Sequence, residues 1–502
     1  MFREGLWKGM IEKGIRGKMW RVIKNLYNEV ESCVRLGSER TDWFSVEIGL
    51  RQGCILSPIL FSIFIDGLAE EVKKVGGAKY GELVVSLLLF ADDIVLMAES
   101  AEMLQKMLDV VYSYSKKYRF RFNKDKSNVM IFGSPMRNKK FYLGESEMQI
   151  VDSYKYLGLI LDNNFSWKAQ LDKMVDKARK RSRALCGMGL REGISVRGLL
   201  RGWQVLVRPV LEYGAEIWGE KKWKQGEDLQ LEMGRRVLGV SKMTTKEVIQ
   251  GELGLETLSS RRILIRLRFW YKIINMNTER LIYKIYKKRR EEFIRGKKKD
   301  KKNWCYWTWH YLQQLHLDHF WESENLEELG VGMGKNFDKL VKEALKKKEE
   351  EEWRERMDRK DKLRTYRRLK KDLVLENYLI ELDREDRRYL TMLRGGTNYL
   401  RIERGRWVGE SEHERVCNVC LCNQVEDEKH FLLGCSGYAR ERARMFVRIK
   451  QECEIRNIEY MDEEWQFHTL IGVGYRDKNK EIRKIVINYI KEANKIRKQY
   501  VK

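Results

Sequence analysis

The stretch LLLFADDIVLM, from Leu87 to Met97, places two adjacent aspartates inside a block of large apolar residues. Burying neighbouring carboxylates costs free energy unless a cation or dense hydrogen bonding compensates them. Two short apolar runs around a turn that contains aspartate are typical of a tight β-hairpin. The sequence therefore predicts a hairpin over 83–98. Its Asp92 and Asp93 are either ordinary turn residues or ligands of divalent metal ions.

Helical and strand-like patterns alternate on both sides of this hairpin. Apolar residues spaced three and four apart predict helices over 1–36, with a break at Gly14 to Gly17, over 59–72 and over 101–118. Pro58 suits the first turn of the second helix. Strands are predicted at 42–50, 129–132, 141–143 and 154–161. This alternation indicates an α+β fold for about the first 165 residues.

The rest of the chain is predicted to be largely helical and rich in charge. Runs of lysine, arginine and glutamate thicken between about 282 and 390, and such runs usually form solvated helices or connectors. The aromatic segment NWCYWTWHYL (303–312) interrupts them. Its rings either stack on single-stranded bases or pack into a small local core.

Composition points to a polyanionic partner. The formal net charge is +26, and 35% of the residues are charged. Such an excess of cations favours nucleic acid or an anionic membrane surface. No apolar run approaches the roughly 20 residues of a membrane-spanning helix, which favours nucleic acid.

Four soft ligands cluster near the carboxyl end of the chain. Cys417, Cys420, His430 and Cys435 have the spacing C-x₂-C-x₉-H-x₄-C. A Cys₃His set suits structural Zn²⁺ with closed tetrahedral coordination, and unrelated buried cysteines are the alternative. Cys422 is a spare thiol close enough to compete. The expected role of the site is to fold a small module that holds RNA or DNA.

Several further motifs stand in a fixed order around the hairpin. GLRQGCILSPILF (49–61) precedes FADD, whereas FNKDKSNVMIFG (122–133) and YKYLGLILD (154–162) follow it. Together they resemble the palm of a reverse transcriptase, closely that of LINE-type (non-LTR) retrotransposons. LVRPVLEYGAEIWG (206–219) and LRGGTNYLRIERGRW (393–407) extend the resemblance, as does the family's C-terminal zinc knuckle.

The resemblance implies a domain plan. A partial right-hand polymerase palm, an antiparallel sheet with helices, is expected over 1–165. A helical thumb-like domain over 166–280 and a charged helical connector over 281–392 would follow. The region 393–502 would hold the zinc knuckle.

The resemblance also implies roles for single residues. Asp92 would ligate two catalytic Mg²⁺ ions, and Asp93 would support the site more peripherally. Lys126 would stand near the triphosphate as a proton donor to pyrophosphate, or be an ordinary surface lysine. Two short motifs complete the set: Arg51, Gln52 and Gly53 against the templating base and nucleotide, and Tyr156, Leu157 and Gly158 gripping the primer end.

One part of the family pattern is not matched. A second metal-binding aspartate is expected on a strand upstream of GLW, and the sequence starts just after that point. We therefore expect an N-terminally truncated reading frame that keeps part of the palm fold but polymerises DNA poorly or not at all. A non-catalytic nucleic-acid-binding remnant is the rival hypothesis, and a group II intron maturase is a more distant one. The expected partners are an RNA template, a DNA primer or target and deoxynucleoside triphosphates, in a cytoplasmic ribonucleoprotein that reaches the nucleus.

Overall fold

The computed structural model describes residues 1–133, 139–221, 223–296, 300–323, 334–455, 463–471 and 480–500. Two compact units divide the chain. The first comprises Met1–Trp167 with Thr278–Lys288, and the second comprises Lys168–Asn277 with Arg289–Lys502. All of the described strands lie in the first unit, so the predicted change from mixed structure to helix after Trp167 is confirmed.

Within the described residues, the first unit contains four complete helices, the start of α12 (Leu281–Arg295), five two-stranded sheets and one three-stranded sheet. Its helices are α1 (Arg3–Glu12), α2 (Gly17–Asn25), α3 (Ser57–Val75) and α4 (Ala101–Lys117). Its strands are β1 (Glu31–Ser32), β2 (Arg35–Leu36), β3 (Glu39–Arg40), β4 (Phe44–Ser45), β5 (Ala78–Tyr80), β6 (Leu83–Val85), β7 (Leu87–Phe90), β8 (Asp93–Leu96), β9 (Asn128–Val129), β10 (Phe141–Leu143), β11 (Ser146–Ile150), β12 (Ser153–Tyr156) and β13 (Leu159–Asp162). The three-stranded sheet has the order β10-β11-β9.

The packing of α3 against α4 supports the aspartate hairpin. Leu68 and Val72 of α3 and Met107 of α4 are fully buried. The apolar side chains of strands β7 and β8 that face this core (Leu87, Leu89, Ile94 and Leu96) are partly buried against it. Alternate residues of a strand point to opposite faces. One face of the hairpin therefore rests on the two helices, and the tip extends beyond them.

Three predicted strands differ from the observed ones. The segment 129–132 contributes only Val129, in the strand Asn128–Val129. The segment 42–50 contributes only Phe44–Ser45, which pairs antiparallel with Glu31–Ser32. The segment 154–161 is not one strand, because Tyr156 pairs with Leu159 and closes the hairpin β12–β13. Sequence periodicity identified the apolar character of 154–161 but not the turn within it.

The second unit is helical. Its elements are α5 (Lys168–Arg191), α6 (Val196–Gly202), a π-helical turn (Trp203–Val207), α7 (Arg208–Glu212), α8 (Ala215–Trp218), α9 (Lys224–Leu238), α10 (Lys246–Leu253), α11 (Leu258–Ile274), the end of α12 (Leu281–Arg295), α13 (Trp304–Gln314), α14 (His319–Glu322), α15 (Gly334–Asp358), α16 (Arg364–Leu369), α17 (Tyr378–Glu381), α18 (Arg384–Arg394), α19 (Arg401–Trp407), a second π-helical turn (His430–Gly434), α20 (Ala439–Ile455), α21 (Glu463–Leu470) and α22 (Lys480–Tyr500).

The charge-rich helix α15 buries one face. Every fourth residue from 337 to 357 is nearly inaccessible: Phe337, Val341, Leu345, Glu349, Trp353 and Met357. Each step of four residues advances about 40° around an α-helix, so these side chains form a continuous buried stripe that winds gradually around α15. The segment that reads as solvated charge therefore contains a buried helix face.

The aromatic segment 303–312 forms α13, and part of it is core. Cys305, Thr308 and Leu312 are buried, and the Trp304 indole donates a hydrogen bond of 2.8 Å to the Glu216 carbonyl oxygen. Phe293 packs edge-on against the Tyr306 ring. The sequence allowed either rings that stack on single-stranded bases or a small local core. The contacts observed are those of a small local core.

Candidate metal centres and their surroundings

Asp92 and Asp93 lie at the tip of the hairpin β7–β8. Phe90 pairs with Asp93, so the turn consists of Ala91 and Asp92. Both aspartates are exposed to solvent. Ala91 has φ of 51°, a left-handed conformation that costs free energy for a residue with a β-carbon. Such local strain is found most often at functional sites.

An exposed pair of aspartates is suited to Mg²⁺, because Mg²⁺ is rarely enclosed by protein ligands alone. Mg²⁺ retains several waters and is held by one or two carboxylates together with substrate phosphates. Two adjacent carboxylates on a supported turn provide such a partial ligand set. Among the described residues, the Cys₃His set brings three or more metal-ligating side chains close together. Asp92 belongs to no such group in that part of the chain.

The hairpin β12–β13 experiences the negative charge of this tip. Burial, and then the negative charge of Asp93, raise the pKa of Tyr156. The two residues therefore interact electrostatically, although 62 intervening residues separate them in sequence. The turn of this second hairpin is Leu157–Gly158, with φ of 45° and 87°. Positive φ at both central residues matches a type I′ turn, for which glycine suits the second position.

The same hairpin contacts the segment that carries Lys126. The Tyr154 hydroxyl donates a hydrogen bond of 2.7 Å to the main-chain oxygen of Lys126. Lys126 ends a single 3₁₀ turn capped by the Asn123 side chain, and its own side chain is exposed. The structure thus ties the Lys126 turn to the hairpin that carries Tyr156.

Arg51, Gln52 and Gly53 form an exposed turn before α3. The main-chain oxygen of Arg51 accepts a hydrogen bond of 2.7 Å from the Ser57 hydroxyl, and its guanidinium lies 6.0 Å from the centre of the Tyr27 ring. Gly53 has φ of 81°, and a β-carbon there would meet open space. Glycine is favoured here by backbone conformation, since no crowding requires it. The position of this turn relative to Asp92 stays a prediction.

The Cys₃His group has the dimensions of a tetrahedral zinc site. The ligand atoms of Cys417, Cys420, His430 and Cys435 all lie within 4.8 Å of one another. The sulfurs of Cys417 and Cys435 are 3.8 Å apart, and Cys420 Sγ is 3.4 Å from His430 Nε2. Tetrahedral Zn²⁺, with Zn–S bonds of about 2.3 Å, places two sulfurs about 3.8 Å apart and a sulfur and a nitrogen about 3.5 Å apart. The residues fit the ion.

Neighbouring side chains orient the histidine. His430 Nδ1 lies 3.1 Å from the side-chain oxygen of Gln424, and its main-chain nitrogen donates to Asp427 at 2.7 Å. With the proton on Nδ1, the Nε2 lone pair faces the cysteines, as a zinc ligand requires. Cys422 is exposed and lies 3.4 Å from the Ser436 hydroxyl, outside the ligand group.

Two buried glutamates within the ligand loop were not anticipated. Arg497 donates to Glu426, and Arg364 donates to Glu428 at 2.9 Å. Both carboxylates are at most 2% exposed. They anchor the loop to helices on either side of it. The charged sequence VEDEKH is typical of a solvated surface. Its position in sequence among the predicted metal ligands is the one feature that indicates burial.

Basic side chains line one face of α5. Lys173, Lys177 and Lys180 recur at three- and four-residue spacing and are exposed. Such a row is able to neutralise phosphates of a nucleic acid. Separately, none of the helices within the described residues is long and apolar enough to cross a membrane.

Comparison with known proteins gives consistent matches. Residues 5–161 match the family model "Reverse transcriptase (RNA-dependent DNA polymerase)". The chain is 24% identical over 210 residues to the RNA-directed DNA polymerase from mobile element jockey of Drosophila funebris, covering 40% of this chain and 23% of that protein. It is 36% identical over 131 residues to the Pol polyprotein of the type-2 retrotransposable element R2DM of Drosophila melanogaster, covering 23% of this chain and 12% of that protein.

A third relative is the Pol polyprotein of the type-1 retrotransposable element R2 of Nasonia vitripennis, 26% identical over 157 residues. That alignment covers 29% of this chain and 15% of the relative. The chain therefore spans less than a quarter of the length of the curated relatives it matches.

Proposed function

We propose RNA-directed DNA synthesis as the function of this chain, from the premise that it carries a reverse transcriptase domain of the non-LTR retrotransposon type. The reaction is attack of a primer 3′-hydroxyl on a deoxynucleoside triphosphate opposite an RNA template. Mg²⁺, when bound, supplies Lewis-acid activation and neutralises phosphate charge. The chain's own task is to hold the ions, the primer end and the nucleotide in place.

Asp92 and Asp93 are the proposed Mg²⁺ ligands on this chain. Their exposure leaves room for substrate phosphates to complete the coordination, and the helices α3 and α4 beneath the hairpin hold the tip in position. Catalysis by positioning requires rigid support of this kind. A carboxylate from a further strand would complete a two-metal site.

The remaining residues are assigned to binding the substrates. Tyr156, Leu157 and Gly158 would contact the primer end beside Asp93, and Arg51, Gln52 and Gly53 would contact the templating base and nucleotide. Lys126 would donate a proton to the leaving pyrophosphate. Support comes from the hydrogen bond that ties the Lys126 turn to the hairpin of Tyr156.

The Cys₃His group is proposed to bind one structural Zn²⁺ ion. It would stabilise the ligand loop and present the surrounding basic residues to RNA or DNA. The proposed partners are an RNA template, a DNA primer or target and deoxynucleoside triphosphates. The proposed location is a cytoplasmic ribonucleoprotein that reaches nuclear DNA.

The observation that carries the polymerase proposal is the exposed Asp92–Asp93 turn on a hairpin supported by α3 and α4, within the residues that match the reverse transcriptase model. A primer-extension assay tests it, with purified chain, poly(rA)/oligo(dT), deoxythymidine triphosphate and Mg²⁺. We expect extension that is lost in Asp92→Asn and retained in Asp42→Asn, an exposed aspartate of the same unit. Lys126→Ala should slow extension more than Lys124→Ala, its exposed neighbour.

A second candidate function is nucleic-acid binding without chemistry. Two observations favour it: the exposed basic row on α5, and the lack of a third ligand beside Asp92 and Asp93 within the described residues. Absence of extension, together with RNA binding that falls steeply as salt rises, would support this candidate and count against the polymerase. Extension that Asp92→Asn abolishes would exclude it.

A further inference from the structure

A cavity of about 420 Å³ opens among α18, α22 and the segment between α18 and α19. This volume lies in the range of sites that hold a small ligand. Tyr389 and Met392 contribute apolar surface, and Tyr399 lies at its edge with 49% of its surface exposed. The cavity belongs to the second unit alone and takes no part in the site around Asp92.

Positive charge surrounds this cavity. Arg388, Arg404 and Lys498 line it, and within the described residues none of the three has an ion-pair partner. Arg497 also lines it but is held by Glu426. Glu385 is the one carboxylate among the described lining residues. The unneutralised cations make the cavity attractive to an anion such as a phosphodiester.

Aromatic rings stand among these cations. The Arg404 guanidinium lies 5.7 Å from the centre of the Tyr399 ring. Lys491, which lies outside the cavity lining and pairs with Asp386, is 5.9 Å from the centre of the Tyr389 ring. Unpaired bases stack on exposed aromatic rings and on arginine planes, whereas paired bases are already stacked within a duplex. Asn494 adds an amide that offers both a donor and an acceptor to a base edge.

We infer that this cavity binds one unpaired nucleotide of a single-stranded nucleic acid. The base stacks on Tyr399, and the adjoining phosphates contact Arg388 and Lys498. The Arg497 side chain joins the cavity to the Cys₃His loop through Glu426, so a strand in the cavity also passes close to that loop. The inference does not depend on the polymerase activity proposed above.

Binding of short labelled strands to the full chain tests the inference. Fluorescence anisotropy is measured with eight-residue oligouridylate, with oligodeoxythymidylate and with a duplex of the same length, over a range of salt. Tyr399→Leu should weaken single-strand binding about tenfold without changing its salt dependence. Lys498→Ala should lower the slope of log K against log salt by about 0.7, the value for one phosphate contact on a single strand.

Matched variants control for general effects of charge and surface. Lys495→Ala removes an exposed lysine from the same helix outside the cavity, and Tyr500→Leu removes an exposed ring there. Both should bind as the unmodified chain does. Asp42→Asn should also bind normally. The binding assay contains no Mg²⁺ and no deoxynucleoside triphosphate, so a failed polymerase assay and a failed cavity assay are distinguishable.

Photocrosslinking locates the contact. A strand with a single 5-iodouridine should crosslink to Tyr399, and the crosslink should disappear in Tyr399→Leu. The inference is overturned if Tyr399→Leu binds as Tyr500→Leu does, if crosslinks map only elsewhere, or if duplex binding is weakened equally. A difference between RNA and DNA strands would identify which of the two the cavity prefers.

Discussion

Arg497 in the last helix donates hydrogen bonds of 2.9 and 2.7 Å to the two carboxylate oxygens of Glu426. Glu426 lies between Cys420 and His430 of the Cys₃His group, and both members of the pair are buried. Planar, two-point contacts of this kind fix orientation as well as distance. The last helix therefore holds the ligand loop in place even before a metal ion is considered.

Replacing only the arginine of this ion pair should destabilise the second unit. Arg497→Met leaves the Glu426 carboxylate buried without its cation, which costs about 3–5 kcal/mol in the free energy of unfolding. Urea unfolding measures this loss. The double variant Arg497→Met/Glu426→Gln should recover part of it, because no uncompensated charge remains. If the double variant is less stable than Arg497→Met, the buried charge is not the cause.

Zinc binding should depend on Gln424, which is not itself a ligand. Gln424→Ala removes the oxygen that holds the proton on His430 Nδ1 and should weaken zinc binding about 10- to 100-fold. His430→Ala should lose the ion on dialysis, whereas His413→Ala, an exposed histidine, should keep it. Zinc content and competition with a chelator provide the measurements. A dialysed chain with no zinc would contradict the site.

A substitution at Leu157 should raise the stability of the first unit and lower primer extension. Its φ of 45° is unfavourable for leucine, so Leu157→Asn should stabilise the first unit by about 1 kcal/mol. The same change removes a side chain proposed to contact the primer and should reduce extension. Thermal unfolding and primer extension measure the two effects. Leu36→Asn, at an exposed strand position, should give neither.

The buried carboxyl of Glu349 should make stability depend on pH. Burial, opposed by a hydrogen bond from the Thr257 main-chain nitrogen, raises the pKa of Glu349 to about 7, and nearby Glu256 adds to the increase. The folded chain therefore retains a proton that the unfolded chain loses near pH 4.5. Stability should fall as pH rises from about 4.5 to 7, by on the order of 3 kcal/mol in total, and then level off.

Glu349→Gln should remove this pH dependence. The variant keeps the size and the acceptor oxygen but does not titrate, so it should gain stability over the unmodified chain as pH rises from about 5 to about 8. Glu351→Gln, an exposed position on the same helix, should behave as the unmodified chain. Urea unfolding at several pH values measures the difference. Parallel pH profiles for the unmodified chain and the Glu349→Gln variant would contradict this assignment.

Local patterns predicted the local elements of the fold. The aspartate hairpin, the helix that starts around Pro58 and the turn to helical structure after Trp167 all follow from short-range periodicity. The motif resemblance to a non-LTR reverse transcriptase is confirmed by the family match and the retrotransposon relatives. Strand 42–50 was wrong in extent, because strand length depends on a partner distant in sequence.

Long-range contacts account for what sequence could not predict. The electrostatic effect of Asp93 on Tyr156 depends on the packing of two hairpins, so no local pattern predicts it, although the family resemblance assigned both residues to one site. Glu349 stands in a charged run and is buried only because it shares a four-residue repeat with Phe337, Val341, Leu345, Trp353 and Met357. The repeat is present in the sequence, but the lysines and glutamates around it obscure its apolar pattern. The zinc ligands were predictable because four soft ligands at set spacing rarely have another use.

The contacts of Arg364 bear on how freely the zinc loop could be transplanted between proteins. Arg364 binds both Glu403 and Glu428, which lie far from it in the chain and are buried. A fragment that began at residue 393 would carry Glu428 into a new host without its cation, whereas Glu403 would keep its ion pair with Arg406. Exchange of this module by recombination would therefore succeed only if the donated segment reached back to include α16.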